Sequence, residues 1–231
     1  MITVRKSKER GYTNQGWLKS FHSFSFASYF DRQHMKFRAL RVLNEDWIEG
    51  GEGFDTHPHE NMEILTYVID GEIEHKDSMG NGSVIRAGEL QRMTAGAGVT
   101  HREFNSSDKV AHLLQIWIYP ERAALEPGYE QRSFSGQQIP NQLTLLASQT
   151  GRDGSLMIHQ DIELYGGLLE QGQMLQYTID PDRHAWVQVV GGVIVINGIL
   201  LHTGDGAAID EEKLLAIAAN QGSNFLLFDL T

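Results

Sequence analysis

Two short stretches of this chain carry the residue types of a metal site. In Gly51–Glu63, which reads G-E-G-F-D-T-H-P-H-E-N-M-E, His57 and His59 stand two apart. In an extended segment residues i and i+2 point to the same face, so both imidazoles can meet one cation. Pro58 between them stiffens the backbone and lowers the entropy lost on ordering the pair. Glu63 follows four residues later, with the same parity if the strand continues. In Thr94–Asn105, T-A-G-A-G-V-T-H-R-E-F-N, the glycines mark a turn, and His101 and Glu103 again share one face. Imidazoles with a carboxylate form the usual non-thiolate ligand set for a transition metal. Three histidines and one carboxylate would leave an octahedral ion two open positions, for substrate and dioxygen. A lone H-x-H in a β protein is usually coincidence, whereas two same-parity pairs beside glycine turns point to one site. Parity leaves the carboxylate open between Glu63 and Glu103.

The other histidines (His22, His34, His75, His112, His159, His184 and His202) have no partner at ligand spacing and are expected to satisfy local hydrogen bonds. The aromatic run Phe21, Phe24, Phe26, Tyr29 and Phe30 is expected in the core or as a lid on a barrel mouth. No G-x-S-x-G elbow, phosphate-binding P-loop or dinucleotide fingerprint occurs.

The elements that must position these residues read as short strands. Met62–Ile69 is rich in β-branched and aromatic residues and stops at Asp70-Gly71. Glu72–Lys76 follows, then the hairpin turn Ser78-Met79-Gly80-Asn81-Gly82. Val84-Ile85 leads to the turn Ala87-Gly88-Glu89, and His112–Tyr119 ends at Pro120. Residues 211–219 have helical propensity, but their place in an internal repeat favours a strand. In that repeat Val68–Ile73 matches Val189–Ile194, and Ala87-Gly88-Glu89 matches Thr203-Gly204-Asp205. The offset of the first match carries His57, His59 and Glu63 onto Thr178, Asp180 and His184, and the shorter offset of the second carries His101 onto Ile217. The second half therefore lacks the ligand set, and one metal per chain is expected. Glu121–Asn141, with Pro127, Gly128, Gly136 and Pro140 amid polar residues, reads as the connecting region. This gives an N-terminal barrel over residues 1–125, a linker over 126–141 and a C-terminal barrel over 142–231.

Composition bounds the function. The chain has 231 residues, 41% of them hydrophobic, enough for a sizeable core. Its net charge of −11 gives no basic footprint, so nucleic acid and an anionic membrane surface are not expected partners. With no cysteine there is no disulfide, zinc finger, iron–sulfur cluster or thiol catalysis. No apolar run is long enough to span a membrane, and the start M-I-T-V-R-K-S-K-E-R lacks the core of a signal peptide. A cytoplasmic location is therefore expected.

Gly51, His57, His59, Glu63 and Gly71, followed by Gly98, His101 and Asn105, resemble the two motifs of the cupin superfamily. More narrowly the chain resembles the pirin family. The matching blocks are W-L-K-S-F-H-S-F-S-F (17–26), L-R-V-L-N-E-D (40–46), T-H-P-H-E-N-M-E-I-L-T-Y-V-I-D-G (56–71), H-K-D-S-M-G-N (75–81) and M-T-A-G-A-G-V-T-H-R-E-F-N (93–105). The likeness is strongest over residues 1–120 and continues through D-G-S-L-M-I-H-Q-D (153–161) and L-L-F-D-L (226–230). It implies an all-β bicupin of two antiparallel jelly-roll barrels packed face to face, with few short helices and metal only in the N-terminal barrel. It implies the ligands His57, His59, His101 and Glu103. Glu63, the carboxylate ligand of most cupins, would then orient a ligand histidine or act as a base beside Glu103. The metal would be one divalent transition ion, iron first, with nickel, copper, manganese or zinc as alternatives. Within that family the chain resembles bacterial pirin-like quercetinases. They imply a quercetin 2,3-dioxygenase-like enzyme that opens a flavonol with O2 and releases carbon monoxide. Trp17, Phe24 and Phe26 would rim the aromatic substrate. The alternative is a regulatory or redox-sensing metal protein with a protein partner. Two barrels in one chain favour a monomer. Relatives often carry a basic residue where this chain has Glu60-Asn61, and Gly96 stands where many cupins have proline.

Overall fold

Alternating apolar and polar residues, cut at intervals by glycine turns, give strands throughout the chain. The computed structural model describes residues 1–231 and holds 22 β-strands, two single-turn 3-10 helices and no α-helix. No helix is long and apolar enough to cross a membrane. The chain divides into two units. The N-terminal unit is Gly11–Ser135 with Ile158–Gln160, and the C-terminal unit is Met1–Arg10, Gly136–Met157 and Asp161–Thr231.

The first strand is β1 (Ile2–Arg5). The N-terminal unit then runs through β2 (Gly11–Asn14), β3 (Leu18–His22), β4 (Leu40–Ile48), β5 (Gly53–His59), β6 (Glu63–Asp70), β7 (Glu72–Asp77), β8 (Gly82–Arg86), β9 (Glu89–Thr94), β10 (Val99–Phe104), β11 (Ala111–Ile118) and β12 (Gly128–Ser133). The C-terminal strands are β13 (Gln142–Ser148), β14 (Leu156–Met157), β15 (Ile162–Leu169), β16 (Met174–Thr178), β17 (His184–Gly191), β18 (Val193–Ile196), β19 (Ile199–His202), β20 (Gly206–Ile209), β21 (Leu214–Ala219) and β22 (Ser223–Leu230). The strand expected within 211–219 is β21.

Each unit is a pair of sheets. The N-terminal unit has a seven-stranded sheet, β12-β9-β6-β11-β4-β3-β2, and a four-stranded sheet, β5-β10-β7-β8. The C-terminal unit repeats the plan as β1-β20-β17-β22-β15-β13-β14 and β16-β21-β18-β19. All pairings are antiparallel except β13 with β14. The internal repeat in the sequence is thus a repeat of strand order. Gly71 and Gly192, the turn glycines that match in it, both have positive φ, 76° and 89°.

Two segments depart from the expected boundaries. β1 belongs to the C-terminal unit, where it pairs with β20. The span read as linker contains β12, which pairs with β9 over six residues. In both cases the added strand covers a hydrogen-bonding edge that would otherwise lie open.

The interiors of the two units differ in chemistry. In the C-terminal unit Leu175, Val187, Ile194, Ile217, Phe225 and Leu227 belong to one apolar cluster. The N-terminal unit has a smaller apolar cluster in which Ile48, Val68 and Leu113 meet Ile73 and Ile85 of the other sheet. Beside it a polar row, His22, Asn44, Gln115, Thr66 and Gln91, crosses β3, β4, β11, β6 and β9 in register. All five residues are buried. Burying that many polar side chains is costly unless they are bonded, which points to a constraint other than stability.

Candidate metal site

His57 and His59 sit on β5 and His101 on β10, paired strands of the four-stranded sheet. The register opposes His101 to His57 and then slips, so that Glu103 faces Phe54 and β5 carries the extra residue. This bulge beside the histidines re-aims side chains next to the site. The backbones are pressed together there, since a Cβ on Gly53 would lie 2.2 Å from the Glu103 carbonyl oxygen. Only glycine permits that approach without moving β5 away from β10. At the turn entering β10, Gly96 has φ 50° and its Cβ position lies 2.1 Å from the Leu125 carbonyl oxygen.

The ligand atoms of His57, His59 and His101 lie within 4.8 Å of one another. His57 Nδ1 is 2.7 Å from the Asp55 carbonyl oxygen and so donates to it. That leaves Nε2 as the free lone pair, and it lies 3.0 Å from His101 Nε2. Burial, then the neighbouring histidines, push His59 down to about 4 and His101 to about 3. At neutral pH these two imidazoles are uncharged, and each offers one ring-nitrogen lone pair to a cation. Three converging imidazoles with no counter-charge in hydrogen-bond contact fit a divalent metal.

Glu103 is buried and its carboxylate is aimed by two donors. Thr66 Oγ1 donates to Oε1 at 3.1 Å and Gln115 Nε2 to Oε2 at 2.7 Å. It falls in a second, fully buried cluster with His75 and His101. His101 is therefore shared by both groups. Thr66 and Gln115 belong to the polar row, so two of its five members orient this carboxylate.

Glu63 lies elsewhere, which corrects its expected place near the histidines. It is buried, and Oε2 accepts from the His159 backbone N–H at 3.2 Å, with His159 Nδ1 at 3.4 Å. Its neighbour Ile64 faces the histidines' cavity. The parity argument fails because the strand does not continue from His59. Asn61 takes φ 51°, and β5 and β6 belong to different sheets.

Over the histidines opens a cavity of about 470 Å³. Trp17 and Phe26 line it, whereas Phe24 is buried and does not. The alternation expected around Phe24 is lost in an irregular segment where residues 23–25 are all buried. Trp117 packs edge-on against His59 at 4.9 Å and against Phe26 at 5.4 Å. Sequence reasoning missed Asp46, which also lines the cavity and is 3% exposed. Burial pushes its carboxyl up to about 7, against a bond from Ser20 and with help from Glu103 and Glu45. Its Oδ1 has no hydrogen-bond partner. Reasoning from sequence also missed His75. Its only trace was the same-face pair His75 and Asp77 on β7.

Comparisons with known proteins identify the family. The family model described as Pirin matches residues 3–118, and the one described as Quercetinase C-terminal cupin domain matches residues 145–230. The quercetin 2,3-dioxygenase of Escherichia coli K12 is 52% identical over 231 residues, covering 100% of this chain and 99% of the relative. The pirin-like protein of Caulobacter vibrioides is 37% identical over 230 residues, covering 99% of each. The crystal structure of the bacterial pirin YhhW of Escherichia coli in complex with nickel(II) has a TM-score of 0.96 at 49% identity, covering 100% of this chain and 99% of that one. The chain is an all-β bicupin and belongs to the pirin family.

Proposed function

We propose that this chain is a metal-dependent dioxygenase that opens the heterocycle of a flavonol with O2 and releases carbon monoxide. Support comes from one observation above all: three imidazoles converge beside an anchored carboxylate under an aromatic-walled cavity. Relatives named quercetin 2,3-dioxygenase, matched over their full length, support the substrate class. His57, His59, His101 and Glu103 would hold the metal. Bound there, a divalent ion lowers the pKa of a coordinated hydroxyl and polarises it.

The side chains do the rest. Glu103, on detaching from the ion, takes the proton of the flavonol hydroxyl, and Thr66 and Gln115 hold its carboxylate beside His101. Trp17, Phe26 and Trp117 pack the flat ring system and exclude water. Overall, the O–O bond breaks, two C–O bonds form, and the two C–C bonds flanking the hydroxyl-bearing carbon break. That carbon leaves as carbon monoxide, so no further oxidant or reductant is needed. The test is loss of quercetin absorbance by metal-loaded protein under air. Turnover that stops without O2 and after chelation supports the reading. A metal-loaded chain inert under air contradicts it.

Asp46 stands in the cavity wall as a buried carboxyl whose Oδ1 has no hydrogen-bond partner. Retaining it has a cost. A carboxyl whose folded value is raised above the unfolded one destabilises the fold increasingly as pH climbs from about 4 to 7. Asp46→Asn is therefore expected to melt roughly 5 °C higher than wild type at pH 8, the gap closing toward pH 5. Melting curves of the metal-free proteins at both pH values check the sign.

A further inference from the structure

The cluster behind His101 is a chain of three side chains. Asp77 sits at the end of β7, where its carboxylate is surrounded by donors. Oδ1 accepts from the backbone N–H groups of Met79 and Asn81, at 2.9 and 3.0 Å, and Oδ2 accepts from Asn81 Nδ2 at 2.9 Å. His75 Nε2 lies 3.2 Å from the same Oδ2. His75 is fully buried, and its Nδ1 lies 3.5 Å from His101 Nδ1. The far nitrogen of His101, Nε2, faces His57.

With both rings neutral, one arrangement of protons satisfies the contacts from Asp77 through His75 to His101, and it leaves the lone pairs of His101 Nε2 and His57 Nε2 facing each other 3.0 Å apart, as two ligands of one ion would. A carboxylate that accepts on all sides requires His75 to carry its proton on Nε2. His75 Nδ1 is then an acceptor, so His101 must carry its proton on Nδ1. That leaves His101 Nε2 as a bare lone pair pointing at His57 and His59. We propose that Asp77 and His75 are positioning residues that fix the tautomer and ring orientation of His101, so that its Nε2 is preset to bind the metal. Partners of this kind behind a ligand histidine typically change metal affinity by about 10–100-fold. β7 and β10 are paired and oppose His101 to Asp77 and Glu103 to His75, so the relay is built into the sheet register. The hairpin turn after β7 anchors its far end. The proposal rests on the reading of His101 as a ligand, but the tautomer itself is a property of the metal-free chain.

Two measurements separate the two ideas. Nitrogen-15 NMR of the metal-free wild type is expected to show His101 protonated at Nδ1 and His75 at Nε2. Either ring in the opposite tautomer overturns the relay, and no variant has to fold for that result. Nickel(II) affinity, read by competition with a chromogenic chelator, is expected to fall about 10–100-fold in His75→Phe. In Asp77→Asn, whose amide oxygen can still accept from His75 Nε2, it is expected to stay within about tenfold of wild type. Unchanged nickel affinity in a folded His75→Phe overturns the proposal. So does binding of two nickel ions per wild-type chain, which would make His75 a ligand in its own right. A wild-type chain with the expected tautomers and no nickel binding would instead overturn the ligand reading and leave the relay as structure only.

Discussion

Replacing His101 with alanine is expected to empty the metal site and reduce flavonol turnover below about 1% of wild type, with the sheets intact. Three features make this the most severe single change. His101 is buried, whereas His57 and His59 are partly exposed and more easily replaced by water. It is the one histidine common to both ligand clusters. It also joins the relay behind the site to the cavity in front. The fold should tolerate the loss because the sheets are held by backbone ladders and by apolar contacts such as Ile48, Ile73 and Leu113. Nickel at ~100 times its dissociation constant stabilises a specific site by about 2.7 kcal/mol. For a chain of this size that is roughly 5–10 °C in melting temperature. Wild type should show that shift and His101→Ala none, while the metal-free melting points stay close.

Glu103→Gln is expected to lower turnover by about 100-fold or more, the usual range for losing a positioned general base. It should weaken metal binding as well. Glu63→Gln is expected to leave metal content and turnover within about twofold of wild type, since removing a group outside a site changes little there. The contrast follows from position. Glu103 is held by Thr66 and Gln115 next to His101, while Glu63 contacts His159. Kinetics and metal content of the two variants, measured side by side, decide the carboxylate. Loss of metal from Glu63→Gln alone would contradict the assignment.

How much of this was legible in the sequence depends on whether a signal was local. The three histidines were readable because β5 and β10 each carry a same-face pair at i and i+2. The repeat was readable because Gly71 and Gly192 mark the same turn. Glu63 misled because parity cannot be carried across Asn61, where the backbone leaves the extended region. β12, G-Y-E-Q-R-S, shows no apolar alternation because it is an edge strand of partly buried residues, and it read as linker. His75 and Asp77 gained meaning only through the pairing of β7 with β10, a contact between distant segments. Asp46 was one acidic residue among 30 until the cavity singled it out. The departure of β1 into the C-terminal unit is likewise a long-range pairing, and nothing near Ile2 signals it.

The most direct test of the proposed chemistry is the ratio of carbon monoxide released to quercetin consumed. It should be run on protein loaded with one metal ion per chain, with His101→Ala as the control. Cleavage of the flavonol heterocycle predicts one carbon monoxide for each quercetin and each O2, and none from the variant. Quercetin loss without carbon monoxide, or the same release from His101→Ala, would contradict it.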